Sequence, residues 1–371
     1  MSAFSSLDEQ YMRRAIELAK QGQFTTTPNP NVGCVIVNNN EVVGEGFHIR
    51  AGEPHAEVHA LRMAKEKAVG ATAYVTLEPC SHYGRTPPCA KGLIDAGISK
   101  VIAAMVDTNP QVAGKGLAML EVAGIETAFG LLESDARALN EGFFKRMELG
   151  LPFVSCKLAA SLDGKTALSN GESKWITSAD ARMDVQQFRA QSCAIISGAD
   201  TVLADNAKLN VREHFYPDLQ TEPRQPIRVI LDSNNRLTPE LALFSCESAI
   251  ILVRTTPSAI ENVSPWPHFV EEIVVEAKNG KVDCLALLKV LAARGVNRVW
   301  LEAGQTLSGV FHAEGLIDEY IVYLAPKILG EGSKGLFATK PLAHLSDAMA
   351  LEFTHVQSIG VDLRIHARQA R

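Results

Sequence analysis

What the chain lacks narrows its reading first. No apolar run approaches the length a membrane-spanning helix needs, so no membrane partner is expected. Met1 to Gln10 has no basic stretch followed by an apolar run, so no signal peptide is expected. Positive charge is not in excess: 36 Lys and Arg stand against 42 Asp and Glu, and the net charge of −6 gives no electrostatic reason to bind nucleic acid. A local basic pocket for one phosphate is compatible with that balance. The seven cysteines are an odd set without a regular framework, so a reducing, cytoplasmic setting is expected. Internal repeats and low-complexity segments are also missing. The remainder is an ordinary globular composition, 46% hydrophobic and 21% charged, and 371 residues suffice for two domains with sizeable cores.

Against that plain background, His55-Ala56-Glu57, Pro79-Cys80 and Cys89 stand out. Imidazole and two thiolates are the ligands of a soft metal such as zinc, and three protein ligands leave a position for water. Zinc lowers the pKa of that water, so a nucleophile exists at neutral pH. Glu57 is two residues from His55, within reach of the water without ligating. The order H-x-E then P-C with a further Cys is that of the zinc deaminases, with one departure. Eight residues, Ser81 to Pro88, separate Cys80 from Cys89 instead of two. They include Gly84, Pro87 and Pro88, so they read as a turned loop that returns Cys89 to the metal. His82 and Arg85 in that loop can face a substrate. The alternative is a closed structural zinc with His82 as fourth ligand. A zincin helix is excluded, because His55 and His59 are not followed by the Glu that motif needs at position 56.

Hydrophobic periodicity places these residues. Leu7 to Lys20 reads as an amphipathic helix through Met12, Ala15, Ile16 and Ala19. Val32 to Val37 and Glu41 to Phe47 read as a hairpin about Asn38-Asn39-Asn40. A helix is expected from about His55 to Glu66, a strand over Ala73 to Leu77, a helix over Cys89 to Ala96, a strand over Val101 to Val106 and a helix over Gly116 to Ala123. Both ligand sets are therefore expected at helix starts, where the dipole favours thiolate. Gly114-Lys115-Gly116 reads as a flexible loop for a substrate phosphate. A boundary is expected near Gly150-Leu151-Pro152, giving domains 1–149 and 150–371.

The second half repeats the α/β alternation with different content. Strands are expected over Phe153 to Ala159, Ala194 to Ser197, Ile227 to Leu231, Ala249 to Val253, Glu272 to Val275, Arg298 to Glu302 and Glu319 to Leu324. Helices are expected over Ser178 to Ala190 and Cys284 to Arg294. Polar loops follow three strands: Gly198 to Val202, Asp232 to Arg236, and Glu302 to Gly309. They read either as a nucleotide crevice at one sheet edge or as ordinary connections. Lys157 lies on a core strand, where an unpaired charge is costly, so it calls for a partner or a ligand.

The chain resembles the bifunctional deaminase–reductase family of riboflavin biosynthesis over nearly its whole length. The first-half likeness rests on Thr27-Pro28-Asn29-Pro30-Asn31-Val32-Gly33, Gly46-Phe47-His48, Gly52, His55-Ala56-Glu57, Glu78-Pro79-Cys80-Ser81-His82 and Gly84-Arg85-Thr86-Pro87-Pro88-Cys89. The long cysteine spacing is a feature of that family. In the second half it rests on Lys157 to Gly164, Ser173-Lys174-Trp175-Ile176-Thr177, Gly198 to Val202 with Asp205, Leu231-Asp232-Ser233 and Glu302-Ala303-Gly304.

The resemblance implies a two-domain α/β architecture. The N-terminal domain would be a cytidine-deaminase-like α/β/α sandwich and the C-terminal domain dihydrofolate-reductase-like. It implies deamination of 2,5-diamino-6-(5-phosphoribosylamino)pyrimidin-4-one, then NADPH-dependent reduction of ribosyl to ribityl. One zinc per chain would sit on His55, Cys80 and Cys89, with Glu57 as the proton carrier. Asn29, His48, His82 and Arg85 would line the first pocket. Lys157, Asp205 and Glu302 would be the reductase's ionisable catalytic groups. Ala159, Trp175, Thr201, Asp205, Ser233 and Gly304-Gln305-Thr306-Leu307-Ser308-Gly309 would contact NADPH. Ser173, Arg189, Leu209, Arg212 and Glu302 would contact substrate, the arginines suiting its phosphate. The family also implies a homodimer or larger homo-oligomer. Two rival readings are a nucleic-acid-editing deaminase, which the acidic charge disfavours, and a non-catalytic zinc scaffold, in which Glu57 would be dispensable.

Overall fold

Two asparagines turn the chain into its first sheet. Asn39 and Asn40 have φ of 50° and 61°, the left-handed pair of a tight hairpin turn, between β1 (Gly33–Asn38) and β2 (Glu41–Phe47). The computed structural model describes residues 4–83, 87–109, 112–212, 223–256 and 266–370. They fall into two units, Met1–Gly150 and Leu151–Arg371.

In the first unit, β1 and β2 are joined by β3 (Thr72–Val75), β4 (Lys100–Ala103) and β5 (Glu126–Phe129) in the order β2-β1-β3-β4-β5. β1 pairs antiparallel with both neighbours, whereas β3, β4 and β5 run parallel. Alternate strand residues face opposite sides. Val35, Val37, Tyr74 and Ile102 meet α1 (Ser6–Lys20) through Met12, Ala15 and Ile16. Cys34, Ile36, Ala73, Val75 and Val101 meet α2 (Ala56–Ala64), α3 (Cys89–Asp95) and α4 (Lys115–Val122). The result is the expected α/β/α sandwich. α5 (Glu133–Ala138) and α6 (Glu141–Leu149) complete the unit.

The second unit begins with β6 (Phe153–Ser161) and β7 (Lys165–Ala167), then α7 (Ala179–Gln191), β8 (Ala194–Gly198), α8 (Ala199–Asp205) and β9 (Ile227–Leu231). β10 (Ile250–Arg254), β11 (Val270–Val274), β12 (Ala277–Lys278), β13 (Lys281–Val282), α9 (Cys284–Ala293), β14 (Arg298–Leu301) and α10 (Gln305–Ala313) follow. β15 (Glu319–Ala325), β16 (Lys334–Gly335), β17 (Leu351–Ile359) and β18 (Asp362–Gln369) end it. Nine strands form one sheet in the order β11-β10-β9-β8-β14-β6-β15-β18-β17. It is parallel from β11 to β15, and the terminal hairpin is antiparallel. One face packs on α9 and α10 through Leu287, Leu291 and Phe311, and the other on α7 through Val185.

The β17–β18 hairpin is absent from the sequence reading. β17 is an edge strand exposed along nearly its whole length, so it carries no buried-face alternation.

Gly33 shows how tightly the first unit is closed. A Cβ there would lie 1.9 Å from the Ala15 carbonyl oxygen on α1, a backbone atom that cannot swing aside. Gly33→Ala is expected to destabilise this unit by about 1–3 kcal/mol or more. A lowered urea midpoint for its transition, with that of the second unit unmoved, is the measurement.

Candidate active sites

His55 caps α2 and puts Glu57 on that helix's first turn. Cys80 lies beyond the end of β3, and Cys89 is the first residue of α3. These elements bring three donor atoms together. His55 Nδ1 is 3.7 Å from Cys80 Sγ and 3.3 Å from Cys89 Sγ, and all three ligand atoms lie within 4.8 Å of one another. One expectation needs correction: Cys80 is not itself at a helix start. Its sulfur instead accepts the N–H of Cys89, 3.3 Å away, from the α3 amino end. Cys80 is drawn down to about 4 by the hydrogen bond from the Cys89 thiol, with burial opposing and His55 assisting. The same bond, reinforced by burial, pushes Cys89 up. Glu57 is buried, and its Oε2 has no hydrogen-bond partner among the described residues. Burial, then the Cys80 charge, raises its pKa, so it binds a proton more readily than an ordinary carboxylate.

Two soft sulfurs, an imidazole and an unmatched carboxylate oxygen are a set that fits zinc. His82 is exposed and stands outside the cluster, so no fourth ligand closes the site among the described residues. Arg85 lies outside the described residues.

His48 is buried rather than solvated. Its Nδ1 is 3.1 Å from the Pro54 carbonyl, which can only accept, so Nδ1 carries the proton. Nε2 therefore accepts from the Asn29 amide nitrogen at 3.0 Å. Burial lowers the pKa of His48 and keeps it neutral. Its ring meets that of His55 edge-on at 5.2 Å. Asn29 and His48 are thus one bonded pair beside the metal ligands.

Gly114-Lys115-Gly116 differs from expectation. The N–H groups of Gly114 and Gly116 donate to the Glu78 carboxylate at 2.9 and 2.8 Å, so a protein acid, not a substrate phosphate, occupies them.

In the second unit, β9, β8, β14 and β6 are parallel neighbours whose carboxyl ends share one edge. The loops leaving them line a cleft of about 950 Å³. It contains Lys157, Ala159, Ser173, Trp175, Arg189, Thr201, Asp205, Leu209, Arg212, Ser233 and Glu302, together with Gly304, Gln305, Thr306 and Leu307. The three polar loops therefore line one cleft at a shared sheet edge. Ser308 and Gly309 are placed elsewhere. Ser308 is buried and bonds the Ala303 carbonyl at 3.4 Å, and a Cβ on Gly309 would lie 2.6 Å from the Ala338 carbonyl. Those two residues pack α10; they do not line the cleft.

The charges in the cleft are paired in a way the sequence does not reveal. Arg189 Nε and Nη2 donate to the two Glu302 oxygens at 3.0 and 2.7 Å, and Trp300 Nε1 donates to Oε2 at 3.1 Å. Burial opposes the Glu302 charge, but Arg189 and Lys157 outweigh it and hold the carboxylate at about 2. Burial lowers Lys157, with Glu302 as the chief opposing influence. Lys174, quoted in a motif without a role, extends Nζ to the Asp205 carbonyl at 3.0 Å and to its carboxylate at 3.4 Å. Asp232 Oδ2 receives the N–H groups of Arg236 and Leu237 at 2.8 and 3.0 Å and so shapes the loop that presents Ser233.

Residues 152–365 match the family described as the RibD C-terminal domain, and residues 5–105 match the cytidine and deoxycytidylate deaminase zinc-binding region. The riboflavin biosynthesis protein RibD of Escherichia coli K12 is 51% identical over 97% of this chain and 98% of its own length. The chain belongs to the RibD family. The Haemophilus influenzae member is 52% identical over 98% of each chain. The Acinetobacter baumannii RibD structure superposes with a TM-score of 0.89 at 43% identity, covering 98% of this chain and 99% of that one. A Thermotoga maritima diaminohydroxyphosphoribosylaminopyrimidine deaminase/5-amino-6-(5-phosphoribosylamino)uracil reductase gives 0.85 at 34% identity, with coverage of 98% and 99%. As a RibD-family member this is a bifunctional deaminase and reductase of riboflavin biosynthesis, with zinc and NADPH as cofactors. Its units have the cytidine-deaminase-like and dihydrofolate-reductase-like folds expected.

Glu302 sits well below the ordinary carboxylate range, so its charge stabilises the fold fully above about pH 4.5. That stabilisation is lost as pH falls toward about 2. Arg189→Met strands the buried carboxylate and is expected to cost roughly 3–5 kcal/mol at neutral pH. It should also flatten the decline below pH 4.5. Urea unfolding of the second unit at pH 7, 4 and 3 measures both effects.

Proposed function

We propose that residues 1–149 deaminate 2,5-diamino-6-(5-phosphoribosylamino)pyrimidin-4-one at its ring 2-amino group. Residues 150–371 then reduce the ribosyl side chain to ribityl, giving 5-amino-6-(5-phosphoribitylamino)uracil. The observation that carries the first step is the convergence of His55, Cys80 and Cys89 beside a buried Glu57 with an unmatched oxygen. In this reading those three residues hold zinc. When bound, zinc supplies a Lewis acid that makes water nucleophilic at neutral pH. Glu57 accepts the proton released by water and delivers protons to the ring and to the departing ammonia. Its place on the first turn of α2, two residues from His55, suits both halves of that transfer. Asn29, oriented by neutral His48, meets the pyrimidine, and His82 and Arg85 meet the ribose phosphate.

The second step rests on the strand-end cleft. When bound, NADPH supplies the hydride. Ala159, Trp175, Thr201, Asp205, Ser233 and Gly304 to Leu307 hold the cofactor, while Ser308 and Gly309 anchor the helix behind them. Ser173, Leu209, Arg189 and Arg212 position the substrate. Lys157, Asp205 and Glu302 are the ionisable groups at the reacting end, and the Arg189 bridge keeps Glu302 anionic beside Lys157. A cytoplasmic setting agrees with seven free cysteines. No helix among the described residues is long and apolar enough to cross a membrane.

A homodimer or larger homo-oligomer is part of the same proposal. β17 is an edge strand with Phe353 73% and Val356 52% exposed. A long, partly apolar edge of this kind is suited to covering by a second copy. Phe353→Lys with Val356→Lys is expected to lower the sedimenting mass to that of the monomer. An unchanged mass removes this edge from the interface.

Ammonia release and NADPH oxidation, followed separately on purified protein, test the two-step reading. Glu57→Gln should lower ammonia release by about 10²–10⁴-fold. Reduction of substrate already deaminated should be unchanged. A zinc-loaded wild type that releases no ammonia would refute the deaminase assignment and return the scaffold reading.

A further inference from the structure

Glu78 takes no part in the chemistry above, yet it is the most heavily bonded carboxylate among the described residues of the first unit. It is buried, and its two oxygens accept four backbone N–H groups. Oε2 receives those of Asp107 and Gly114 at 3.1 and 2.9 Å, and Oε1 those of Gly116 and Leu117 at 2.8 and 3.3 Å. These donors span the end of β4 and the start of α4, so one side chain ties both to the end of β3.

Pro79 alone separates Glu78 from Cys80, and its ring fixes φ, which makes the link stiff. Gly116 seats against this link so closely that a Cβ there would lie 1.9 Å from the Pro79 carbonyl oxygen. On its other side Cys80 is held by α3. Its carbonyl accepts from Ala90 N–H at 3.2 Å and its sulfur from Cys89 N–H at 3.3 Å. The Cys80 segment is therefore clamped between two helix amino ends, and Glu78 is the clamp on the α4 side.

We propose that Glu78 is a positioning residue: its carboxylate locks the start of α4 onto Pro79 and thereby fixes Cys80 for the metal. The inference rests on the reading of His55, Cys80 and Cys89 as zinc ligands. A glutamine cannot replace the acid. It offers one oxygen where two pairs of N–H donors need two, and its amide N–H₂ would face one pair of donors.

Zinc affinity by chelator competition, and the absorption spectrum of the cobalt(II)-loaded full-length protein, provide the test. Glu78→Gln is expected to weaken zinc binding by roughly 10–100-fold and to alter the cobalt–thiolate bands. NADPH-dependent reduction by the second unit stays at the wild-type rate, and a wild-type far-ultraviolet circular dichroism spectrum certifies that the first unit is folded. A purely structural role would lower the melting temperature of the first unit but leave the cobalt spectrum unmoved. Wild-type zinc affinity and an unchanged spectrum in Glu78→Gln overturn the proposal. Where that variant does not fold, Glu78→Asp decides by the same two readouts, because it keeps both carboxylate oxygens and withdraws them by one methylene from the four N–H donors. Wild-type protein that binds no zinc, or a Cys80→Ala variant that binds it unchanged, would sink the ligand assignment itself, an outcome separate from the failure of Glu78 alone.

Discussion

A carboxylate taken out of water must be matched by donors or cations, or it takes up a proton. Three glutamates, Glu57 and Glu78 buried and Glu302 half-buried in its cleft, meet this constraint differently, and the working parts of the molecule follow from the differences. Glu78 is matched by four backbone N–H groups, which turns it into a structural tie between β3, β4 and α4. Glu302 is matched by a two-pronged arginine and an indole N–H, which keeps it charged beside Lys157. Glu57 is left with an oxygen that nothing among the described residues matches. The first two have their hydrogen-bonding demand met inside the fold. The third retains an appetite for a proton, which is the property a proton carrier requires.

Strand direction explains where these groups lie. Side chains and loops at the carboxyl ends of parallel strands converge, because every neighbour ends on the same edge. In the first unit Glu78, Cys80 and Asp107 follow the ends of the parallel neighbours β3 and β4. In the second, Glu302 follows β14, Ser233 follows β9, and α8 begins where β8 stops. Of the antiparallel hairpins, β1–β2 also reaches this edge, because β2 ends at Phe47 opposite Gly33 and delivers His48 beside the metal ligands, while β17–β18 lies at the outer side of the second sheet. They close the sheets, and β17 leaves an apolar edge uncovered within one chain.

The sequence made the first unit's site more legible than the second's. His55, Glu57, Cys80 and Cys89 belong to a short vocabulary of metal chemistry, and their types alone restrict the reaction. Helices and strands with one buried face were equally legible, as Met12, Ala15, Ile16 and Ala19 show for α1. The second cleft is built from single residues on six or more segments, and no local spacing announces it. Arg189 and Glu302 are 113 residues apart, and a pair at that separation is visible only after folding. The Gly114 loop misled for a related reason. Exposed N–H groups at a helix start suit any anion, and here the anion is Glu78, supplied by the chain itself. Ser308 and Gly309 are a further case: small residues permit close approach, but the sequence does not say to what, and Gly309 is small because the Ala338 backbone lies against it.

His48 illustrates how a polar residue gains meaning only from its partners. As a loop histidine it has two tautomers and a titration near neutrality. Placed with Nδ1 on the Pro54 carbonyl, it has one tautomer, and burial removes the charge. Nε2 is then an obligatory acceptor, which fixes the Asn29 amide with its nitrogen toward the ring. A backbone carbonyl one residue before His55 thus sets the orientation of an amide on a different loop. Replacing His48 by a residue that can only donate would remove that instruction and leave the three metal ligands in place. The bonded pair and the ligand set are thus separate in structure, each held by its own partners.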